Sequence, residues 1–342
     1  YNPHLDRFVD PLNGCADLKK KQLRMVSAEN LKEDPLRLLR AYRQAAQLGF
    51  SLEPQTRATI QTLTSALRNI AAERVQSELN YLLSTEKGTP WLTQAWQDGL
   101  FRDWLPDVTA HSMESIAAVD RTNILLQETY PCFASGLVSP PRHPSEPSLN
   151  EAQSAKNAQI GTSKSSSSTR NWLLTAKLTC LMPEDAAQAE AQLRRLKYSR
   201  LEIQAVGTVL RYLPQLLPAN DAQFLSVESK SAEFSLSLRE QYFFFQGVGA
   251  TFPAVVVLAI AQGAYLEDMA PLMQRFLTPN DPVAHATPPL TGQDLMKSLN
   301  LSAGPLIGRL LAAIQLAKAE GKISSPEEAL QFAAEYLQEL QP

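Results

Sequence analysis

Several things are scarce in this 342-residue sequence, and each scarcity removes a class of function. Its three cysteines, Cys15, Cys132 and Cys180, are odd in number and far apart, with no C-x-x-C. That excludes a disulfide framework and a thiolate zinc site, and it fits a reducing compartment. Each cysteine reads as a small hydrophobe, buried or partly exposed, rather than a nucleophile. The four histidines, His4, His111, His143 and His285, lack metal-ligand spacing,. There is no Walker motif, no G-x-S-x-G and no Rossmann fingerprint,. No signal-peptide pattern opens the chain, and no apolar run looks long enough to cross a bilayer; Pro253 to Ala261 reads as a buried helix,. A cytoplasmic location is expected. Charge of one sign is also missing: a formal net charge of −3 does not announce a nucleic-acid binder,.

What is present is 44% hydrophobic residues with only 14 glycines, which predicts a mostly helical protein long enough for two or three domains,. The most informative stretch runs from Glu33 to Phe50. Asp34 is a good N-cap and Pro35 suits a first helical position. Leu36, Leu39, Tyr42 and Ala46 recur at helical spacing, and Gly49 offers a left-handed stop, so a helix is expected from about Pro35 to Leu48,. Asp34, Arg37, Arg40 and Arg43 follow at three-residue steps as a slowly winding polar stripe. One acceptor followed by fixed guanidinium donors suits the Watson–Crick edge of a base with a phosphate chain beyond it. The same spacing is equally that of solvated ion pairs on a helix face.

Around this stretch, Arg7 to Val9 and Leu23 to Val26 read as short β-like runs separated by a turn at Pro11, Asn13 and Gly14,. Asp17 reads as a helix cap, and Phe50 to Thr56 as a turn. Helices are expected from Thr56 to Leu67, from Ala71 to Leu83, and onward through Trp91, Trp96 and Trp104, which read as core anchors,. Val138 to Arg170 is rich in proline and then in serine, the composition of a flexible insertion,. Further helices are expected at Ser237 to Gly247, Ala254 to Gln262, around Leu272, from Gly304 and after Ser324. Gly308 would permit close packing or the approach of a phosphate. Arg194, Arg195, Lys197 and Arg200 form a basic cluster that is either a solvated face or a set of phosphate contacts,.

Three segments together carry a resemblance. Asp10-Pro11-Leu12-Asn13-Gly14-Cys15-Ala16-Asp17-Leu18 with Leu23-Arg24-Met25-Val26, then Glu33-Asp34-Pro35-Leu36-Arg37, then Ala72-Glu73-Arg74-Val75 with Glu78-Leu79, occur in this order within eighty residues. The set resembles the class II tRNA nucleotidyltransferases (CCA-adding enzymes) and the bacterial poly(A) polymerases. The second segment matches an E-D-x-x-R motif and the third an E-R-V-x-x-E-L motif.

The resemblance implies a mainly α fold with multi-helical neck, body and tail domains and a short α/β remnant of a nucleotidyltransferase head. It divides the chain into the end of the head at 1–26, a base-selecting neck at 27–85, a helical body at 86–277 with the insertion at about 138–170, and an RNA-binding tail at 278–342. It implies template-independent addition of CMP and AMP to the 3′ end of tRNA from CTP and ATP. Asp34, Arg37, Arg40 and Arg43 would bind the nucleotide, with Arg40 and Arg43 contacting phosphate or bracing Asp34. Glu33, Glu73 and Arg74 would support them, and the cluster from Arg194 to Arg200 would contact RNA. The family's metal-binding D-x-D pair is missing, since no D-x-D occurs anywhere in this sequence. The chain is therefore expected to be a C-terminal fragment that begins after its catalytic carboxylates, is inactive alone, and relies on Mg2+ bound by the head. A CC-adding, A-adding or poly(A)-adding specialist, and a helical RNA-binding module without chemistry of its own, are the alternatives.

Overall fold

The computed structural model describes residues 9–138, 171–218 and 236–340. The chain divides into two compact units, Tyr1–Leu210 and Arg211–Pro342. The described residues are mainly helical, with one two-stranded sheet. Arg7, Phe8 and almost all of the Pro- and Ser-rich insertion lie outside the described residues.

The first unit opens with α1 (Gly14–Lys20), β1 (Gln22–Leu23), α2 (Ala28–Glu33), α3 (Leu36–Leu48), β2 (Ser51–Leu52) and α4 (Pro54–Leu63). Helix α3 forms where the apolar period predicts it: Leu36, Leu39, Tyr42 and Ala46 are buried, and Leu38 and Ala45 join them. Its start differs by one residue. Pro35 occupies the N-cap and contributes no side-chain cap bond, so Asp34 is left outside the helix with its carboxylate free for other work. The stop is as expected, with Gly49 at φ 64 and its N–H donating to the Ala45 carbonyl.

No atom lies within 4 Å of where a Gly49 side chain would begin, so the only cost of a Cβ there is the left-handed backbone. Gly49→Ala is expected to lower stability by about 1 kcal/mol, with Gly49→Asn costing less, as read from urea midpoints.

Two local expectations are corrected. The turn expected from Phe50 to Thr56 contains β2, which pairs in parallel with β1 (Gln22 opposite Ser51, Leu23 opposite Leu52). The β-like run at Leu23 thus finds its partner downstream, and Met25 and Val26 carry no strand. Asp17 does not cap a helix; it lies inside α1 and receives the Arg24 guanidinium at 3.0 Å.

The first unit continues through a 3-10 turn (Thr64–Asn69), α5 (Ala72–Ser84), α6 (Gly88–Gln97), α7 (Ala110–Thr129), α8 (Pro131–Ser135), α9 (Trp172–Thr179) and α10 (Ala186–Arg195). Helix α11 (Arg200–Tyr212) follows. One core joins α3 and α5 to Leu92, Phe101, Leu105, Leu193 and Val206. The tryptophans anchor it: Trp104 donates to the Leu67 carbonyl, Trp96 donates to that of Val108, and Trp91 meets Tyr42 edge to face. Lys177 is buried, with its ammonium 2.5 Å from Asp120 and donating to the Leu83 carbonyl, so its charge is met inside the core. Cys15 and Cys132 are exposed, not buried; the Cys180 thiol is pushed up by desolvation, as an inert hydrophobe's would be,.

The second unit contains α12 (Leu238–Val248), α13 (Phe252–Ala261), α14 (Leu266–Leu277), α15 (Gly292–Ser298), α16 (Pro305–Ala319) and α17 (Pro326–Leu340). Residues 238–261 taken together are long and apolar enough to cross a membrane by length and composition, which corrects the sequence reading. In the most apolar 18-residue window of that stretch, 67% of the residues are buried within the protein. Gly249 at φ 50 also breaks it into two helices. Phe252 packs on Phe244, Phe245 and Phe276, making this the aromatic core of the unit. Gly308 does not mediate close packing: it is exposed, and nothing lies within 4 Å of its Cβ direction.

Candidate functional site

The polar stripe of α3 lies on the first unit, and the tertiary fold assigns each of its charges a partner. The Asp34 carboxylate accepts two hydrogen bonds from Arg74 Nη2 on α5, at 3.1 and 3.2 Å. Arg37 Nε lies 4.0 Å from Asp34, and Arg37 Nη1 donates to the carbonyl of Asn30, a residue of α2, at 2.7 Å. Asp34 and Arg37 are therefore presented side by side, each tied to a different helix, and Arg37 remains exposed. An acceptor and a planar donor held at that separation match one edge of a nucleobase.

Further along α3 the partners change. Arg40 Nε donates to Glu78 Oε1 at 2.8 Å, and Arg43 Nε donates to Glu78 Oε2 at 2.6 Å. Arg43 also donates to Gln47 and lies 5.6 Å over the Tyr81 ring. Arg40 and Arg43 thus brace Glu78 and not Asp34; the bracing of Asp34 falls to Arg74. Arg40, half exposed, keeps its outer donors toward a cleft of about 490 Å³ that Arg37, Asn30, Gln44 and Arg24 also line. The Arg24 guanidinium beside Asp17 holds that carboxyl below the usual carboxylate range.

The other supporting residues are not drawn together. Glu33 is exposed at the end of α2, where its carboxylate accepts from the Asn30 side chain at 3.4 Å. Glu73 is exposed in the first turn of α5, where its carbonyl accepts from Ser77. In the basic cluster, Arg194 pairs with Glu190, and Arg195 donates to the Asp103 carbonyl while lying 5.3 Å over Trp104. Lys197 and Arg200 are exposed and have no ion-pair partner among the described residues.

Two residues with no role in the sequence reading organise the site. Glu78 is buried (6% exposed) between two guanidiniums. Its signal was legible: an acid among the inward positions Val75, Leu79 and Leu82 has to find a partner inside,. Asp98, just past α6, accepts from Tyr42 Oη at 2.5 Å, from Arg57 twice at 2.8 Å and from Gln61 at 2.6 Å. It locks α4 and α6 to the inward face of the helix whose outer face carries Arg37 and Arg40. Only the buried hydroxyl of Tyr42, which needs an acceptor, hinted at it.

Comparison with known proteins places the chain in a family. Residues 49–112 match the family described as "Probable RNA and SrmB- binding site of polymerase A", and residues 163–334 match the second domain of tRNA nucleotidyltransferases. A CC-adding tRNA nucleotidyltransferase of Synechocystis is 37% identical over 98% of this chain and 72% of its own length. An A-adding tRNA nucleotidyltransferase of Deinococcus radiodurans is 27% identical over 97% of this chain and 75% of its own length. In fold, the Thermotoga maritima CCA-adding enzyme solved with tRNA superposes with a TM-score of 0.59 at 17% identity, over 96% of this chain and 67% of that one. The chain belongs to the class II tRNA nucleotidyltransferase and poly(A) polymerase family.

Proposed function

We propose that this chain selects the incoming base and grips the RNA in a nucleotidyltransferase that adds C, or C and A, to the 3′ end of tRNA from CTP and ATP. The observation that carries the reading is the Asp34–Arg37 pair, in which Arg74 fixes Asp34 and the Asn30 carbonyl fixes Arg37, with Arg37 and Asn30 lining a cleft. Ionised Asp34 accepts only, so it favours the exocyclic amine of C or A and rejects the carbonyl that U and G present there. Arg37 donates to the adjacent ring nitrogen or carbonyl. Arg74 occupies part of the carboxylate's capacity, and two oxygens with about four acceptor positions leave room for the amine. Arg40 supplies the next donor, toward the triphosphate. Lys197 and Arg200 are the candidates for backbone contact with tRNA, through charge and shape rather than sequence.

Similarity over nearly the whole chain to a CC-adding relative favours C as the added base. Mg2+ does not fit the residues at hand: the described residues contain no group of three or more His, Cys, Asp or Glu that could hold a metal, and no D-x-D occurs in the sequence. No step is therefore routed through the ion.

Arg37→Ala, in the catalytically complete enzyme that carries this chain, is expected to cut discrimination of C against U by about 10- to 100-fold, from the roughly 1–3 kcal/mol of a good bidentate base contact. Affinity for tRNA should be nearly unchanged. Nucleotide incorporation with each triphosphate, beside a gel shift with tRNA lacking its CCA end, measures both. Normal selectivity in the variant would mean that Arg37 does not read the base.

A further inference from the structure

A second cleft, of about 390 Å³, lies entirely within the second unit and is separate from the α3 stripe. Three helices build it with side chains four residues apart. Helix α12 presents Arg239 and Phe243, helix α16 presents Arg309 with Ala313 and Ala317, and helix α17 presents Phe332 and Tyr336. Small alanine side chains and aromatic rings line it together. Phe332 and Tyr336 lie nearly parallel, at 14° with centroids 6.1 Å apart. Phe243 is 53% exposed, although hydrophobic rings of that size are usually covered,.

The charges are unequal. Among the described residues Glu320 is the only acid lining the cleft, and it is already paired, 2.6 Å from Lys322 and 3.4 Å from Arg239. Arg239 also lies 5.9 Å over the Phe243 ring. Arg309 is exposed and has no hydrogen-bond or ion-pair partner among the described residues. The cleft therefore holds three cations against one satisfied carboxylate, beside the exposed Phe243 ring and the partly buried rings of Phe332 and Tyr336.

We propose that this cleft is a nucleotide site, in which an unstacked base lies against Phe243 or the Phe332–Tyr336 pair and its phosphate is held by Arg309 with Arg239. Aromatic faces take any base by stacking, while guanidiniums bind phosphate oxygens in fixed, forked geometry. A purely anionic ligand would leave the rings unused. A purely apolar one would strand Arg309. The nucleotide has two possible sources, a free mononucleotide or an unpaired nucleotide of bound RNA. The inference uses none of the α3 residues, so it stands or falls apart from base selection.

The test uses the whole chain with three probes: CMP and AMP by calorimetry, a fluorescein-labelled oligocytidylate by anisotropy, and a tRNA transcript by gel shift. Phe243→Ala and Arg309→Glu alter exposed side chains, and circular dichroism with a urea midpoint verifies that each variant folds. Each is expected to weaken binding of at least one probe tenfold or more, and Arg309→Glu also to flatten the salt dependence of oligonucleotide binding. Mononucleotide binding that both variants abolish identifies the free ligand as the source. An effect on oligonucleotide or tRNA alone identifies RNA. Folded variants that bind all three probes as the wild type does, or a wild type that binds none, would overturn the site. Either result leaves the Arg37 incorporation test untouched.

Discussion

Replacing Asp98 with alanine is expected to lower the unfolding free energy of the first unit by about 3 kcal/mol. The carboxylate is nearly inaccessible, with its side chain 2% exposed, and it terminates four hydrogen bonds from three side chains. Removing it strands the Tyr42 hydroxyl, which is fully buried, and leaves the Arg57 charge half inside the protein. The cost of breaking a wholly buried pair is about 3–5 kcal/mol. Arg57 is 38% exposed, so water recovers part of that and the lower end applies,. Asp98→Asn keeps the shape and should cost less.

The same cluster gives a pH dependence of definite sign. Burial pushes the Asp98 carboxyl up, but hydrogen bonds from Arg57, Tyr42 and Gln61 outweigh it and leave the group below its ordinary value of 3.8. A carboxyl depressed in the folded state contributes stability that is complete above the unfolded value and lost as pH falls through the folded one. Urea midpoints should therefore hold steady down to about pH 4 and drop below it. The Asp98→Asn midpoint should start lower and fall less over that window.

The second large effect is expected at Glu78. Glu78→Gln keeps the volume but leaves Arg40 and Arg43 facing a neutral amide, and Arg43 is only 19% exposed. A loss of about 2 kcal/mol is expected, below the fully buried figure because Arg40 is 43% exposed,. Salt distinguishes this from a surface effect. Most of the deficit should persist at roughly 0.5 M salt, because Glu78 and its pair with Arg43 are largely shielded from mobile ions,. Glu190→Gln is the control: its pair with Arg194 is exposed (47% and 70%), so that change should stay within about 1 kcal/mol and fade with salt,. With Glu78 neutral, Arg40 loses its anchor at the cleft, so weaker triphosphate affinity should accompany the lost stability in incorporation kinetics. A stability change without that loss would confine Glu78 to holding α5 against α3.

Local chemistry was legible wherever it depends on residues within a turn or two of each other. The bounds of α3 were readable to within one residue, because apolar period and a glycine stop are local. So were the serine-led starts of α12 and α17: the Ser237–Glu240 box forms, and Ser325 caps Glu328 while its carboxylate takes the Ser324 N–H. The misreadings lay at short elements. A two-residue strand carries too little pattern to announce itself, and β2 exists because the end of α3 returns the chain beside Leu23. Asp17 looked like a cap because Arg24, its partner, lies seven residues ahead and across a strand.

By itself the sequence determined the family, the helical class and the polar stripe of one acid and three arginines, since these follow from composition, period and ordered motifs. Only the tertiary structure decided which charge each member of the stripe meets. Arg74 reaches Asp34 from 40 residues away, Glu78 takes Arg40 from 38, and Asp98 takes Tyr42 from 56. Such separations leave no periodic trace, because a pairing is fixed by which helix faces are buried against each other. A buried charge shows in sequence that it must have a partner, and packing alone names it.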